Sequence, residues 1–311
     1  MTKNYALRIT NYELLEVTME KKNTNKGLVS WILDILRGSV IGISNDIPGV
    51  SGGTMAVTMG IYDRIIYDVN NFRKNWRKAL MDLLPILVGV LVGIFGFARI
   101  LKPLIGDEGQ VPPPITLMPT IFAFIGLILG GLPIIWKNVD FKKTTWKGGL
   151  LFVLFFALVV VLPLLQAGAD KTITHSFGDI LLLIPLGMLA SATMVIPGVS
   201  GSMILLILGY YHSIIGALHS FDMGVLLPYA LGLLIGIVFI AKLMNFLLKK
   251  HSALTFAAIL GLVVASPIAL LYQNRACFDV ATPGNWVASI VCLLAGCAVA
   301  YLLSRLGKEE G

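Results

Sequence analysis

Read by its hydrophobic and polar positions, the chain alternates long apolar runs with short charged joints. Ten apolar stretches stand out, near residues 28–45, 52–67, 83–104, 117–136, 147–166, 178–196, 201–217, 226–248, 255–273 and 285–305. Most approach the roughly 20 residues that a helix needs to cross a bilayer. The first and second are parted at Pro48-Gly49, the sixth and seventh at Pro197-Gly198, and each of these four pieces is short for a span. Short apolar pairs broken by Pro and Gly at corresponding places in two halves are the mark of discontinuous helices lining a transport site.

Composition agrees with the pattern. Of 311 residues 57% are hydrophobic and only 13% charged, with a mean hydropathy of +0.85, against about 25% charged in a soluble domain. The expected fold is an all-α integral membrane protein with no separate soluble catalytic domain. The formal net charge of +7 then reads as basic cytoplasmic loops, and nucleic acid is not an expected partner. Cys277, Cys292 and Cys297 form no CxxC pair, and His175, His212, His219 and His251 lack metal-ligand spacing, so neither a metal nor a cofactor is expected. Residues 1–27 are polar and lack the pattern of a cleavable signal peptide. Residues 1–18 are expected to be a disordered extension, with Met19 the more natural beginning.

The two halves match. Pro48-Gly49-Val50-Ser51-Gly52 recurs unchanged as Pro197-Gly198-Val199-Ser200-Gly201, and Gly60 and Tyr62 align with Gly209 and Tyr211. Leu84-Pro85 through Ala98-Arg99 resembles Leu227-Pro228 through Ala241-Lys242, and Gly126-Leu127 with Pro133 echoes Gly261-Leu262 with Pro267. The expectation is a duplication, 28–168 and 175–306. An odd number of crossings per half, whether the broken pair crosses or dips in and returns, makes the repeats inverted. Under that count eighteen of the 24 Lys and Arg fall on the side of the N-terminus, and the other side receives Lys102, Lys171 and Arg275. Both termini are therefore expected in the cytoplasm.

Within a bilayer the repeated motif has a chemical consequence. Proline ends the incoming helix, the serine is placed to cap the next one, and the result is a helix N-terminus aimed at mid-membrane. Free N–H groups and the positive dipole end favour an anion there, and irregular backbone at that depth must line a cavity. Two such termini from inverted repeats would meet near the midplane. Gly49, Ser51, Gly52, Gly53, Thr54, Gly198, Ser200, Gly201 and Ser202 are the candidate anion ligands, beside Arg37, the nearest cation in sequence. Close helix packing through small residues is the alternative. Asp46 lies two residues before Pro48, and an acid in an apolar stretch is costly and functional by default. Asp46 is the candidate proton carrier, with a cap or a partner for Arg37 as its other readings. Arg99 and Lys242 are candidate lipid-headgroup contacts or snorkelling anchors.

Ser44-Asn45-Asp46-Ile47-Pro48-Gly49-Val50-Ser51-Gly52-Gly53-Thr54, continuing to Gly60-Ile61-Tyr62-Asp63-Arg64, resembles the first signature of a bacterial membrane family once defined only as a domain of unknown function. Ala192 to Ser202, continuing to Gly209-Tyr210-Tyr211, resembles its second. That family is identified with polyprenyl-phosphate transport. The resemblance covers about 28–306 and departs mildly at Ser44-Asn45, where small residues are usual. It implies a carrier that returns undecaprenyl phosphate across the bacterial cytoplasmic membrane, with that lipid and the bilayer as partners and protons as a coupling candidate. Two other functions stay open on the residues alone. One is a small-anion carrier or channel. The other is a polyprenyl-diphosphate phosphatase, although such enzymes carry Arg inside the motif where this chain has Gly52 and Gly201.

Overall fold

The computed structural model describes residues 28–45, 50–96, 116–139, 146–165 and 169–309. The polar N-terminal stretch, Asp46, Gly49 and Arg99 lie outside the described residues. The helices follow in order as α1 (Leu28–Asn45), α2 (Gly52–Thr58), α3 (Tyr62–Asn71) and α4 (Trp76–Leu91), which runs on into a π turn, Val92–Gly96. After these come α5 (Leu117–Asn138), α6 (Trp146–Val161), α7 (Phe177–Val195), α8 (Gly201–Leu208) and α9 (Tyr211–Ser220). The last four are α10 (Met223–Lys250), α11 (Ser252–Gln273), the single turn α12 (Ala276–Asp279) and α13 (Pro283–Glu309).

Eight of these helices, one of them together with its π turn, are long and apolar enough to cross a membrane. Large apolar side chains such as Phe95, Leu227, Phe239 and Leu294 face outward, while Asp34, Ser44, Thr54 and Thr58 are buried. Apolar exterior around a partly polar interior is the arrangement a hydrocarbon solvent selects, because lipid rewards no burial of leucine. The protein is a multi-pass, all-helical membrane protein.

The stretches at 52–67 and 201–217 are not single segments. Each breaks in two after one or two turns, at Gly60 and Gly209, which stand at φ 71° and 80°, a left-handed geometry that glycine adopts without steric cost. At the second break α8 and α9 turn through 114°.

Glycines set the packing of the long helices. A Cβ on Gly38 would collide with the backbone of Ile86 and Gly89, and one on Gly42 with Val90 and Gly93. Residue numbers climb together on both sides of this seam, so α1 and α4 run parallel. The same holds for α7 and α10, where Gly187 lies on Tyr229 to Leu233 and Gly236 on Met188 and Ser191. It holds again for α5 and α13, where Gly126 meets Leu293 and Gly130 meets Cys297. Parallel neighbours force the chain between them back to the end it left. That return is made by α2 and α3 in one case and by α8 and α9 in the other.

The halves also share a register. Leu28, Gly52 and Tyr62, which open α1, α2 and α3, precede Phe177, Gly201 and Tyr211, which open α7, α8 and α9, by the same interval that separates Pro48 from Pro197. One apolar core unites them, with Leu33, Met55, Met59, Ile121 and Ile128 packed together with Ile240, Leu260, Val263 and Leu303.

Gly89→Ala drives a methyl into the Ile35 carbonyl and is expected to destabilise the protein by about 1–3 kcal/mol. Gly216→Ala in α9, with nothing within 4 Å of the new carbon, should leave the melting temperature unchanged or slightly raised. Thermal melts of the detergent-solubilised variants test both.

Candidate functional site

The two copies of the motif lie against each other. Ser51 and Ser200 occupy the N-cap positions of α2 and α8 with extended backbone, and the glycine that follows each opens the helix. Across the gap the Gly198 N–H donates to Thr54 Oγ1 at 2.6 Å, a buried bond between residues 144 apart. Gly198 holds φ 86°, and a Cβ there would press on the Leu262 carbonyl of α11. On the other copy, a Cβ on Gly53 would come within 2.8 Å of the Met194 and Val195 carbonyls, so the start of α2 rests directly on the end of α7.

Neither serine caps its helix. No side-chain hydrogen bond is made to the first turn of α2 or α8, which corrects the capping expected from sequence. The first intrahelical bonds are Met55 N–H to Ser51 O and Ile204 N–H to Ser200 O. The N–H groups of Gly52, Gly53 and Thr54, and those of Gly201, Ser202 and Met203, therefore have no acceptor inside their own helices. Ser200 Oγ pairs with Ser202 Oγ at 2.8 Å, whereas Ser51 Oγ is buried with no partner, an expensive state for a hydroxyl. Buried hydroxyls and uncapped helix starts together make a cradle suited to an anion.

Of the expected residues, Ser51, Gly52, Gly53, Thr54, Gly198, Ser200 and Gly201 are buried in this region, and Ser202 is half-buried beside them. Arg37 is not drawn to the motif. It lies two turns back on α1, where its Nη1 sits 3.2 Å from Asp34 and its Nη2 donates to the Leu303 carbonyl at 2.7 Å. Lys242 is exposed on α10.

Sequence reasoning missed two features. Asn45, noted only as a departure, ends α1 with its amide against Gly52, where a new Cβ would lie 2.8 Å from Asn45 Oδ1. Asp34 is fully buried and accepts from Arg64 as well as Arg37. An Asp three residues before an Arg inside an apolar run was the available signal, and it was lost among the longer hydrophobic pattern.

The match to known proteins covers most of the chain. Residues 41–285 match the model of a family described as undecaprenyl phosphate translocase-like. A protein of Staphylococcus aureus named polyprenyl-phosphate transporter is 31% identical over 294 residues, 90% of this chain and 98% of the relative. One of the same name from Vibrio cholerae is 24% identical over 323 residues, with the same coverage. No solved structure matches the chain significantly.

Thr54→Val keeps the shape but removes the acceptor of the Gly198 N–H. It should cost about 1–3 kcal/mol, the penalty of an orphaned buried donor, while Thr54→Ser keeps the bond and most of the stability. Melting temperatures of the two variants, measured side by side, test the junction.

Proposed function

The chain belongs to the undecaprenyl phosphate translocase-like family, and from that membership we propose that it carries polyprenyl phosphate across the bacterial cytoplasmic membrane, returning the lipid carrier to the inner leaflet. The hydrogen bond that joins the two motifs supports this reading most directly. A lipid phosphate needs a polar cradle for its headgroup while its tail stays in the bilayer, and the cradle lies where the two halves touch.

The halves act as inverted repeats, 28–168 and 175–306. The parallel course of α5 and α13 supports this. Counting one crossing each for α1, α4, α5, α6, α7, α10, α11 and α13, and one for each return through α2–α3 and α8–α9, each half crosses five times. On that count α5 is the fourth crossing and α13 the tenth, and the two share a direction only if the second half starts from the opposite face. The re-entrant pieces α2–α3 and α8–α9 then approach the midplane from opposite sides. The excess of Lys and Arg, with Lys249 and Lys250 closing α10, supports both termini in the cytoplasm.

In this mechanism the headgroup oxygens are held by the amides of Gly52, Gly53 and Gly201 and by the hydroxyls of Ser51, Thr54, Ser200 and Ser202, with Gly49 and Gly198 giving the backbone room to approach. No bond in the lipid breaks, so no nucleophile is required. Ser51 Oγ, buried and unpartnered, gains its missing partner when phosphate arrives. Asp46, two residues before Pro48 in the sequence, carries the coupling proton, because an ionised carboxylate in an apolar stretch that receives a phosphate would repel the substrate. Arg37 orders the start of the pathway, and Arg99 and Lys242 meet headgroups at the two faces.

Gly52→Leu is the test, because the atoms nearest a new Cβ there belong to the Asn45 side chain and not to backbone. Reconstituted in proteoliposomes, it should fold, insert and fail to move polyprenyl phosphate. Normal transport by this variant would make the motifs packing elements only. Asp46→Asn should keep lipid binding and lose the pH dependence of transport, and a pH profile identical to that of the unaltered protein would remove the proton role.

A further inference from the structure

Away from the motifs, the interior holds one carboxylate bonded to two guanidiniums. Asp34 on α1 is fully buried, and its Oδ1 accepts from Arg37 Nη1 at 3.2 Å and from Arg64 Nη2 on α3 at 2.6 Å. Arg37 also ties α1 to α13 through the Leu303 carbonyl. The matching places on α7 and α9 are Leu183, Leu186 and Ser213. Leu183 and Leu186 are buried, and Ser213 donates to the Lys171 carbonyl. The charged cluster therefore belongs to one half of a duplicated fold. Buried ions are costly and are poor stabilisers compared with packed apolar residues, so a cluster confined to one half answers to a need at one end of the molecule.

The geometry of Arg64 shows what that need is. The Nε–Nη2 edge of a guanidinium grips a carboxylate or phosphate with two parallel hydrogen bonds. Here Asp34 uses only Nη2, and Nε is buried with no acceptor among the described residues. Half of the fork is idle: Nε itself is out of reach of water, although the Arg64 side chain as a whole is 22% exposed. A phosphate monoester, with three oxygens and up to two negative charges, can engage both arms.

Position fits as well. Arg64 lies just past the far end of α2 from the motif, and seven helical residues span about 10 Å. Arg37 stands eight residues before Asn45 on the neighbouring helix, about 12 Å along α1. The cluster is thus offset from the cradle toward the end where α1 begins, by a large part of the roughly 15 Å from bilayer midplane to headgroup boundary.

We propose that Arg64 is a second phosphate ligand of the transport path, held by Asp34 when the path is empty and passed to the lipid phosphate as the headgroup leaves the cradle for the leaflet at the start of α1. This rests on the transport reading above. Asp34 is the competitor that reclaims Arg64 and so expels the headgroup. The exchange also frees α3 from α1, which links passage of the phosphate to movement of the re-entrant segment.

The competition has a sign that a merely structural ion pair lacks. Asp34→Asn removes the competitor, so undecaprenyl phosphate should bind several-fold more tightly while transport slows. Arg64→Lys keeps the charge but loses the fork, so affinity should fall about tenfold, the loss of one charge-assisted hydrogen bond, with little change in melting temperature. The experiment measures undecaprenyl phosphate affinity, proteoliposome transport and melting temperature for the intact protein, Asp34→Asn, Arg64→Lys and Arg64→Gln. Inorganic phosphate at matched concentration serves as the second ligand.

A structural ion pair predicts lower melting temperatures and unchanged affinities, and that result overturns the proposal. If Asp34→Asn does not fold, the arginine variants decide: affinity for the lipid equal to that of the intact protein in both also overturns it. Equal responses to inorganic phosphate and to the lipid would assign Arg64 to a soluble anion and reject the lipid ligand. An intact protein that neither binds nor moves the lipid would instead reject the transport reading, and this proposal with it.

Discussion

Backbone that stops being helical inside an apolar span has to find its hydrogen bonds from the protein itself. The structure meets that constraint where the Gly198 N–H donates to the Thr54 hydroxyl, so one broken segment completes the other. The glycines follow from the same requirement. Gly53 and Gly198 have no side chain because carbonyls of α7 and α11 occupy the space where one would stand. Satisfaction is incomplete at Ser51, whose hydroxyl is buried with no hydrogen-bond partner among the described residues.

The glycine seams carry this arrangement out to the periphery. Because α1 and α4 touch backbone to backbone, as do α7 and α10, the segments between them have no path except down and back. Each broken piece therefore lies between the two helices of a parallel pair. Large apolar residues on the outer faces complete the fit to lipid, and association inside depends on close packing and on internal polar contacts. The charged cluster of Asp34, Arg37 and Arg64 interrupts this near-symmetry in one half of the chain.

Much of this was legible in the chain. Apolar runs of spanning length gave the class and most of the helices, and the repeated Pro-Gly-Val-Ser-Gly marked both breaks and their pairing. Other features depended on three-dimensional neighbours. Gly60 and Gly209 aligned between the halves, yet nothing in sequence said that each would turn left-handed and split an apolar stretch. The serines looked like caps, but neither makes a cap bond: Ser200 Oγ pairs with Ser202 Oγ of its own helix, and Ser51 Oγ has no hydrogen-bond partner among the described residues. Arg37 looked like a ligand of the motif, and its burial against Asp34 and Leu303 depends on how α1, α3 and α13 converge, which no local pattern encodes.

The central claim is that two motifs make one phosphate site. Native mass spectrometry of the detergent-purified protein titrated with undecaprenyl phosphate tests it most directly. One lipid bound per chain, lost in Gly52→Leu although the second motif is untouched, is the predicted result. Two lipids per chain, or one lipid still bound in Gly52→Leu, would contradict it.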